Sequence, residues 1–360
     1  MRRTLGTIAA LLLAVGLVPG SATSSVGAEP GPAPGLTRWK PVPVDTDQQL
    51  RGLDAVSGRV AWVGGSEGGV WRTTDGGTTW QDVSPPGADG LLFRDVEAAD
   101  ARTALAMTIG EGGDSRIYRT DDAGRTWTRT FVNRDPRAFY DCLAMWPGDR
   151  RGLAMSDPVN GRFRILSTTD GGRSWQVLPR AGMPRAEGEF GFAASGTCLV
   201  TAGRHRAYLA SGGARARVFA TRDDGRTWRA TDSTLPASEA GGVFSLAFRG
   251  PGVGVAVGGD FEVEDDGVDR AAYTRDGGRS WTNAGDLSGY RSGVDFWRSW
   301  VVAVGPDGVD VSRDRGRTWS PFRAGPAGGY DSVQCVPAAC WASGPAGAVA
   351  RLVVRTGQPA

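Results

Sequence analysis

Nine charged residues recur at comparable places ahead of, or at the end of, short apolar runs: Arg51, Arg94, Asp95, Asp141, Asp157, Glu189, Asp260, Arg291 and Asp331. Several carboxylates among a few guanidiniums suit two kinds of chemistry. They could bind a charged or hydroxylated ligand, or two of them could act as acid and base on a glycosidic bond. Asp157 and Glu189 are the pair that suits the second task. Other nucleophilic chemistry has little to draw on. The chain holds one histidine, His205, so a Ser-His-Asp or Cys-His arrangement would have to use it. One histidine and four cysteines also make a structural His/Cys zinc site a poor expectation, and no metal or cofactor is expected.

These residues become a site only if something brings them together, and the sequence contains a device for that. The motif [ST]-x-D-x-G-x-[ST]-W occurs six times, ending at Trp80, Trp127, Trp175, Trp228, Trp281 and Trp319, with spacings of 47, 48, 53, 53 and 38 residues. Periods of this size mark stacked units, none of which buries its apolar face alone. Each motif follows an alternating stretch such as Val70-Trp71-Arg72 or Ile117-Tyr118-Arg119, itself preceded by two more β-like runs. Four short strands per repeat, with no helical periodicity, predict a β-propeller of four-stranded blades.

Within the motif, the aspartates Asp75, Asp122, Asp170, Asp223, Asp276 and Asp314 are expected to clasp the hairpin between the third and fourth strands. Their carboxylates would accept backbone N–H groups, with the glycine supplying positive φ. That makes them structural. The blade count comes to seven. Three strands follow the sixth motif, Asp331–Val336, Cys340–Ser343 and Val349–Val354, and Trp39 lies 41 residues ahead of Trp80, where a seventh tryptophan is due. The N-terminal strand is therefore predicted to close the last blade as its outer strand, which removes an open edge.

Residues 1–28 have the layout of a secretory signal: Arg2-Arg3, an apolar run from Leu5 to Val18, and small residues at Val26-Gly27-Ala28 before Glu29. The run is too short to span a bilayer comfortably, and no later stretch is apolar enough. Arg2-Arg3 leaves Sec and twin-arginine export both open. Residues 29–35 read as a flexible leader and 36–356 as the propeller, outside the cytoplasm. With Arg2 and Arg3 removed the chain has 39 basic and 39 acidic residues, a balance that argues against nucleic acid as a partner. Cys335 and Cys340 flank a short connection and could pair, whereas Cys142 and Cys198 lie in different repeats and read as buried thiols.

The six motifs are Asp-boxes, also called BNR repeats. Seven such blades behind a signal peptide resemble the photosystem II stability/assembly factor family, in particular its relatives in non-photosynthetic bacteria. Phe139-Tyr140-Asp141, Ser156-Asp157-Pro158, Gly188-Glu189, Phe192-Ala193-Ala194-Ser195-Gly196-Thr197, Gly258-Gly259-Asp260 and Gly289-Tyr290-Arg291-Ser292-Gly293 carry the likeness beyond the boxes. The resemblance implies a binding or assembly scaffold at the cell envelope, with an envelope or membrane protein as partner and no catalysis. On that reading Arg94, Asp141, Asp157, Glu189, Asp260, Arg291 and Asp331 line a binding site at the channel mouth. The alternative is a secreted glycoside hydrolase using Asp157 and Glu189, with a glycan as its ligand. Sialidases also carry Asp-boxes, but their Phe/Tyr-Arg-Ile-Pro motif has only Phe163-Arg164-Ile165-Leu166 as a counterpart, without the proline and on a third strand. The Gly-rich run Gly252–Gly258 has the wrong spacing for a dinucleotide fingerprint. Arg125, Arg173, Arg226, Arg279 and Arg317 share one box position and read as solvated hairpin tips.

Overall fold

The computed structural model describes residues 36–148, 150–322 and 329–354. The export signal, the leader and the last residues of the predicted propeller lie outside the described residues. Seven sheets are arranged as blades, each entered through its inner strand. Blade 1 runs Leu50–Ala55, Ala61–Gly65, Val70–Thr73 and Gln81–Asp82. The inner strands of blades 2 to 7 are Leu92–Ala98, Tyr140–Met145, Leu199–Ala202, Gly241–Arg249, Gly293–Trp297 and Ser332–Val336. Blade 7 is finished by the N-terminal strand Leu36–Pro41, which pairs antiparallel with Val349–Val354 and sets Trp39 opposite Leu352. Trp39 is buried, with its ring 5.3 Å from that of Tyr330. The ring is thus closed by the strand that the tryptophan spacing predicted.

The Asp-box does the same work six times. In the first, Asp75 Oδ1 accepts the Thr79 N–H at 3.0 Å, Oδ2 accepts the Thr79 hydroxyl at 2.7 Å, and the Thr73 hydroxyl accepts the Gly77 N–H at 2.9 Å. Gly77 stands at φ +82°, a region costly for any side chain, and its successors in the other boxes repeat it. Hydrogen bonds to the ionised form hold Asp75 and Asp122 down at about 2, the backbone N–H of Thr79 or Thr126 being the largest cause. Two of the box tryptophans tie one blade to the next through their ring N–H, while Trp228 Nε1 donates within its own box to Gly225 O. Trp80 Nε1 donates to Val42 O at 3.0 Å and Trp127 Nε1 to Val83 O at 2.7 Å.

Apolar side chains fill the spaces between blades. Around the central channel, a second system of polar ties runs from each inner strand to the next. Asp54 accepts the N–H of Ala98, Asp95 that of Leu143 at 2.6 Å and Glu97 that of Met145 at 3.3 Å. Thr197 and Ser245 share a hydrogen bond at 2.6 Å, and Ser245 accepts the N–H of Val294 at 2.9 Å. Asp295 accepts the N–H of Cys335 at 2.7 Å, and Gln334 that of Ala55 at 2.5 Å, closing the circle. The seam between blades 3 and 4 is tied differently. Thr201 donates to Met145 O at 2.9 Å, and Cys142 forms a disulfide with Cys198 across 5.9 Å of Cα separation. This corrects the expectation of two buried thiols: residues from different repeats become neighbours once successive inner strands line the same channel. Cys335 and Cys340 also pair, facing each other across the first hairpin of blade 7.

One element has no counterpart in the repeat. Between blades 3 and 4 the chain makes a detour through Glu189–Phe190. This two-residue strand pairs with Gly212–Gly213, which in turn joins the inner edge of blade 5. The detour lies beside the channel mouth and supplies part of its wall.

Candidate functional site: the channel mouth

Four of the inner strands share an irregularity. Pairing between first and second strands slips by one residue at Leu50/Gly52, Phe93/Asp95, Tyr140/Cys142 and Val243/Ser245. The residue left over in each bulge is Arg51, Arg94, Asp141 or Phe244. A β-bulge re-aims one side chain out of the alternation of the strand. Here all four line a single cavity of about 520 Å³ at the mouth of the channel, with Asp157 at its edge. Arg94, Asp141 and Asp157 thus line one cavity, Arg94 and Asp141 by way of these bulges.

Beside the charged residues the same cavity has an aromatic wall. Phe192 stacks on Phe244 at 3.7 Å between centroids, and Tyr290 meets Phe244 edge-on at 4.6 Å. Phe261 leans edge-on toward both phenylalanines from the rim, with 48% of its surface exposed. Glu264, on the same loop, also reaches the cavity.

The charges of the mouth are unevenly paired. Arg51 forms an ion pair with Asp331 at 3.4 Å, and Gln49 donates to the same carboxylate at 3.0 Å. Burial raises Asp331, an effect that Arg51 opposes. Arg94 donates to the Ala193 carbonyl at 3.3 Å. Burial, and then repulsion from Arg51, push its guanidinium down to about 10, which still leaves it charged at neutral pH. Asp157 Oδ1 accepts the Gly191 N–H at 2.7 Å, and burial raises this carboxyl to about 7. Burial next to Asp157 drives Asp141 well above the usual carboxylate range. Its Oδ2 is buried without a hydrogen-bond partner. A Cβ at Gly191 would come within 3.1 Å of that oxygen, so the glycine is what lets the detour pass this close.

Other expected site residues are elsewhere. Glu189 is buried, with both oxygens occupied: Arg217 binds Oε1 at 2.5 Å and Oε2 at 3.0 Å, and the Ser211 hydroxyl donates to Oε2 at 2.8 Å. Glu189 and Asp157 border one hollow of about 370 Å³, yet Glu189 serves there to fix the detour. Asp260 caps its own turn, accepting the Glu262 N–H at 2.9 Å and the Ser238 hydroxyl, and does not reach the mouth cavity. Arg291 is fully buried. It binds Asp307 at 2.6 Å, Asp310 at 2.7 Å and the Tyr290 carbonyl at 2.7 Å, which holds two loops together. Its place just before an inner strand suggested the mouth, but blade 6 has no bulge to turn it there. Asp95, one residue past its bulge, points down the channel to Leu143. Among the box arginines, Arg173 reaches Asp121 at 3.3 Å and Arg317 lies over the Tyr273 ring.

At the other end of the channel a larger cavity, about 810 Å³, is lined by Asp54, Asp95, Glu97, Asp295 and Gln334. Burial raises Asp54 and Asp295 to about 7, and Asp95 and Glu97 well above their ordinary range. Sequence reasoning passed over Asp54, Glu97 and Asp295, although each is a carboxylate carried on an inner strand. Among the described residues, no cluster of three or more His, Cys, Asp or Glu side chains could hold a metal ion. None of their helices is long and apolar enough to cross a membrane.

Fold and mouth together define a seven-bladed Asp-box β-propeller. No family model matches the chain. Its fold is similar to that of YCF48 bound to D1 peptide, at TM-score 0.62 and 15% identity, covering 91% of this chain and 99% of the other. YCF48 from Cyanidioschyzon merolae gives the same score at 17% identity, covering 88% and 99%. The WD40 repeats of RRP9 reach 0.61 at 11% identity, covering 90% and 99%, so the likeness at these levels is one of fold. In sequence, 134 residues are 28% identical to a xyloglucanase from Paenibacillus sp, which amounts to 33% of this chain and 13% of that protein's length.

Proposed function

We propose that this protein is an exported, non-catalytic scaffold that holds an extended segment of a partner protein in its channel mouth, at the cell envelope. The observation that carries this reading is the Arg94 guanidinium. It is half-buried in a cavity beside a second arginine, with a backbone carbonyl rather than a carboxylate as its hydrogen-bond partner. A cation held in this way can donate its remaining N–H groups to an anionic group of a ligand. The binding of D1 peptide by a protein of the same fold supports a polypeptide ligand. Two disulfides fit an oxidising compartment, in keeping with the export signal read from residues 1–28.

The test is cross-linking in cells that make the protein, comparing the wild type with Arg94→Gln. A reproducible envelope protein, lost in the variant, supports the scaffold; equal recovery from both removes the mouth from the account. Fractionation and N-terminal sequencing of the exported chain should give a start at Glu29.

A second reading is glycoside hydrolysis, favoured by the xyloglucanase likeness and by the raised carboxyl of Asp157. Its weakness lies in the partner carboxylate, since Glu189 already has both oxygens bound to Arg217 and Ser211.

A further inference from the structure

The mouth has two chemically distinct halves. One is the pair of bulge residues Arg51 and Arg94, of which Arg51 faces Asp331 at 3.4 Å while Arg94, among the described residues, has no carboxylate within hydrogen-bonding distance. The other is the aromatic wall of Phe192, Phe244 and Phe261. Phe244 is the bulge residue of blade 5, turned into the same cavity as Arg94 by the same backbone irregularity. Phe261 leaves 48% of its surface in water, beside Val263 at 49% and Val268 at 59% on the same loop. Exposed large apolar side chains at the rim of a cavity mark a place where something else is covered. Guanidinium and aromatic anchors side by side are the residue types that dominate binding surfaces.

Resting on the scaffold reading, we infer that the bound segment is recognised by a paired signature, an apolar side chain against Phe192, Phe244 and Phe261 next to a carboxylate on Arg94. The segment is therefore acidic and apolar, not basic. The other carboxylates of the mouth do not reverse this polarity. Asp331 is spent on Arg51, Asp157 accepts the Gly191 N–H at 2.7 Å, Asp141 lies buried beside Asp157 with its carboxyl pushed well above the usual range, and Glu264 stands on the rim loop. A neutral glycan such as xyloglucan would also accept an aromatic wall, but it offers no anion to Arg94.

The test uses the purified protein and labelled decapeptides in a Gly-Ser background, read by fluorescence anisotropy. One carries Leu and Glu two residues apart; the others carry Gln for Glu, Ser for Leu, or Lys for Glu. The Leu/Glu peptide should bind at least tenfold tighter than the other three. Arg94→Gln should lose that preference for Glu over Gln while keeping the preference for Leu over Ser, and Phe261→Ser should do the reverse. Phe261 is exposed, so its variant tests the wall without opening the core, and thermal melts of both variants confirm folding. Equal binding of all four peptides, tighter binding of the Lys peptide, or displacement by a xyloglucan oligosaccharide at the same residues overturns the inference. Partner capture in cells that persists in both variants would leave the scaffold standing and this signature refuted. Absence of both capture and peptide binding would remove the scaffold as well.

Discussion

Arg51 and Arg94 occupy the same position in successive blades: each is the extra residue of a β-bulge near the start of an inner strand, and each enters the mouth cavity. Asp141 in blade 3 and Phe244 in blade 5 complete the set. One backbone device, placed in four blades, thus builds the floor of the site, with different side chains giving each sector its chemistry. Removing a bulge should therefore cost binding before it costs the fold. Deletion of Arg94, which restores plain alternation in blade 2, is expected to abolish partner capture while circular dichroism still reports an all-β protein.

The carboxylates along the channel give stability a pH dependence of definite sign. Asp54 and Asp295 are raised to about 7, and Asp95 and Glu97 well above their ordinary range, with burial the first cause in each case. A carboxyl raised by folding binds its proton more tightly in the folded chain. Its contribution is complete below the unfolded value near 4 and is lost as pH climbs through the folded value. Asp75 and Asp122, lowered to about 2 by their box hydrogen bonds, act in the opposite direction and lose their contribution only in strong acid. Stability should peak in mild acid, near pH 5, and the melting temperature should be lower at pH 8 by about 5 °C or more, each buried group contributing on the order of a few kcal/mol. Asp95→Asn keeps an acceptor for the Leu143 N–H without the charge, and should flatten that slope.

The two disulfides should differ in worth. Cys142–Cys198 closes 56 residues and ties the seam between blades 3 and 4, whereas Cys335–Cys340 closes only 5 within one hairpin. Loop entropy alone gives about 4 kcal/mol for the first and about 2 kcal/mol for the second. Denaturant titrations of the two double Cys→Ala variants should rank in that order, and equal losses would mean that the seam is held by its other contacts.

Much of the architecture could be read from the chain because the Asp-box repeats six times in phase, and the position of Trp39 then placed the closing strand. The site was less legible, for local reasons. Arg51 and Arg94 each follow an apolar residue (Leu50, Phe93) that is three positions, not two, ahead of the next one (Leu53, Val96), whereas in blades 3 and 5 the apolar residues Cys142 and Phe244 hide the same break. That broken alternation is the signature of the bulge. Arg291 and Asp260 lie near inner or second strands without it, and are drawn into Asp310 and into a turn. Glu189 could not be placed by any repeat logic, because its detour belongs to none of the boxes. Cys142 and Cys198 became partners because successive inner strands stand side by side around the channel, which sequence separation conceals.

Glu189 also decides between scaffold and hydrolase. A general acid or base needs a free oxygen facing substrate, and both oxygens of Glu189 are bound within the protein. Its ion pair with Arg217 is buried, so Glu189→Gln leaves a guanidinium without its counter-charge, a loss of about 3 kcal/mol or more. The variant should melt at a lower temperature, and its detour should become more open to protease near Arg185 and Arg217. Reducing-sugar release from xyloglucan should stay at the buffer level for wild type and variant alike. If the wild type instead hydrolyses xyloglucan, and Asp157→Asn but not Glu189→Gln abolishes it, the mouth is catalytic, with its second carboxyl supplied by Asp141, whose buried Oδ2 has no hydrogen-bond partner.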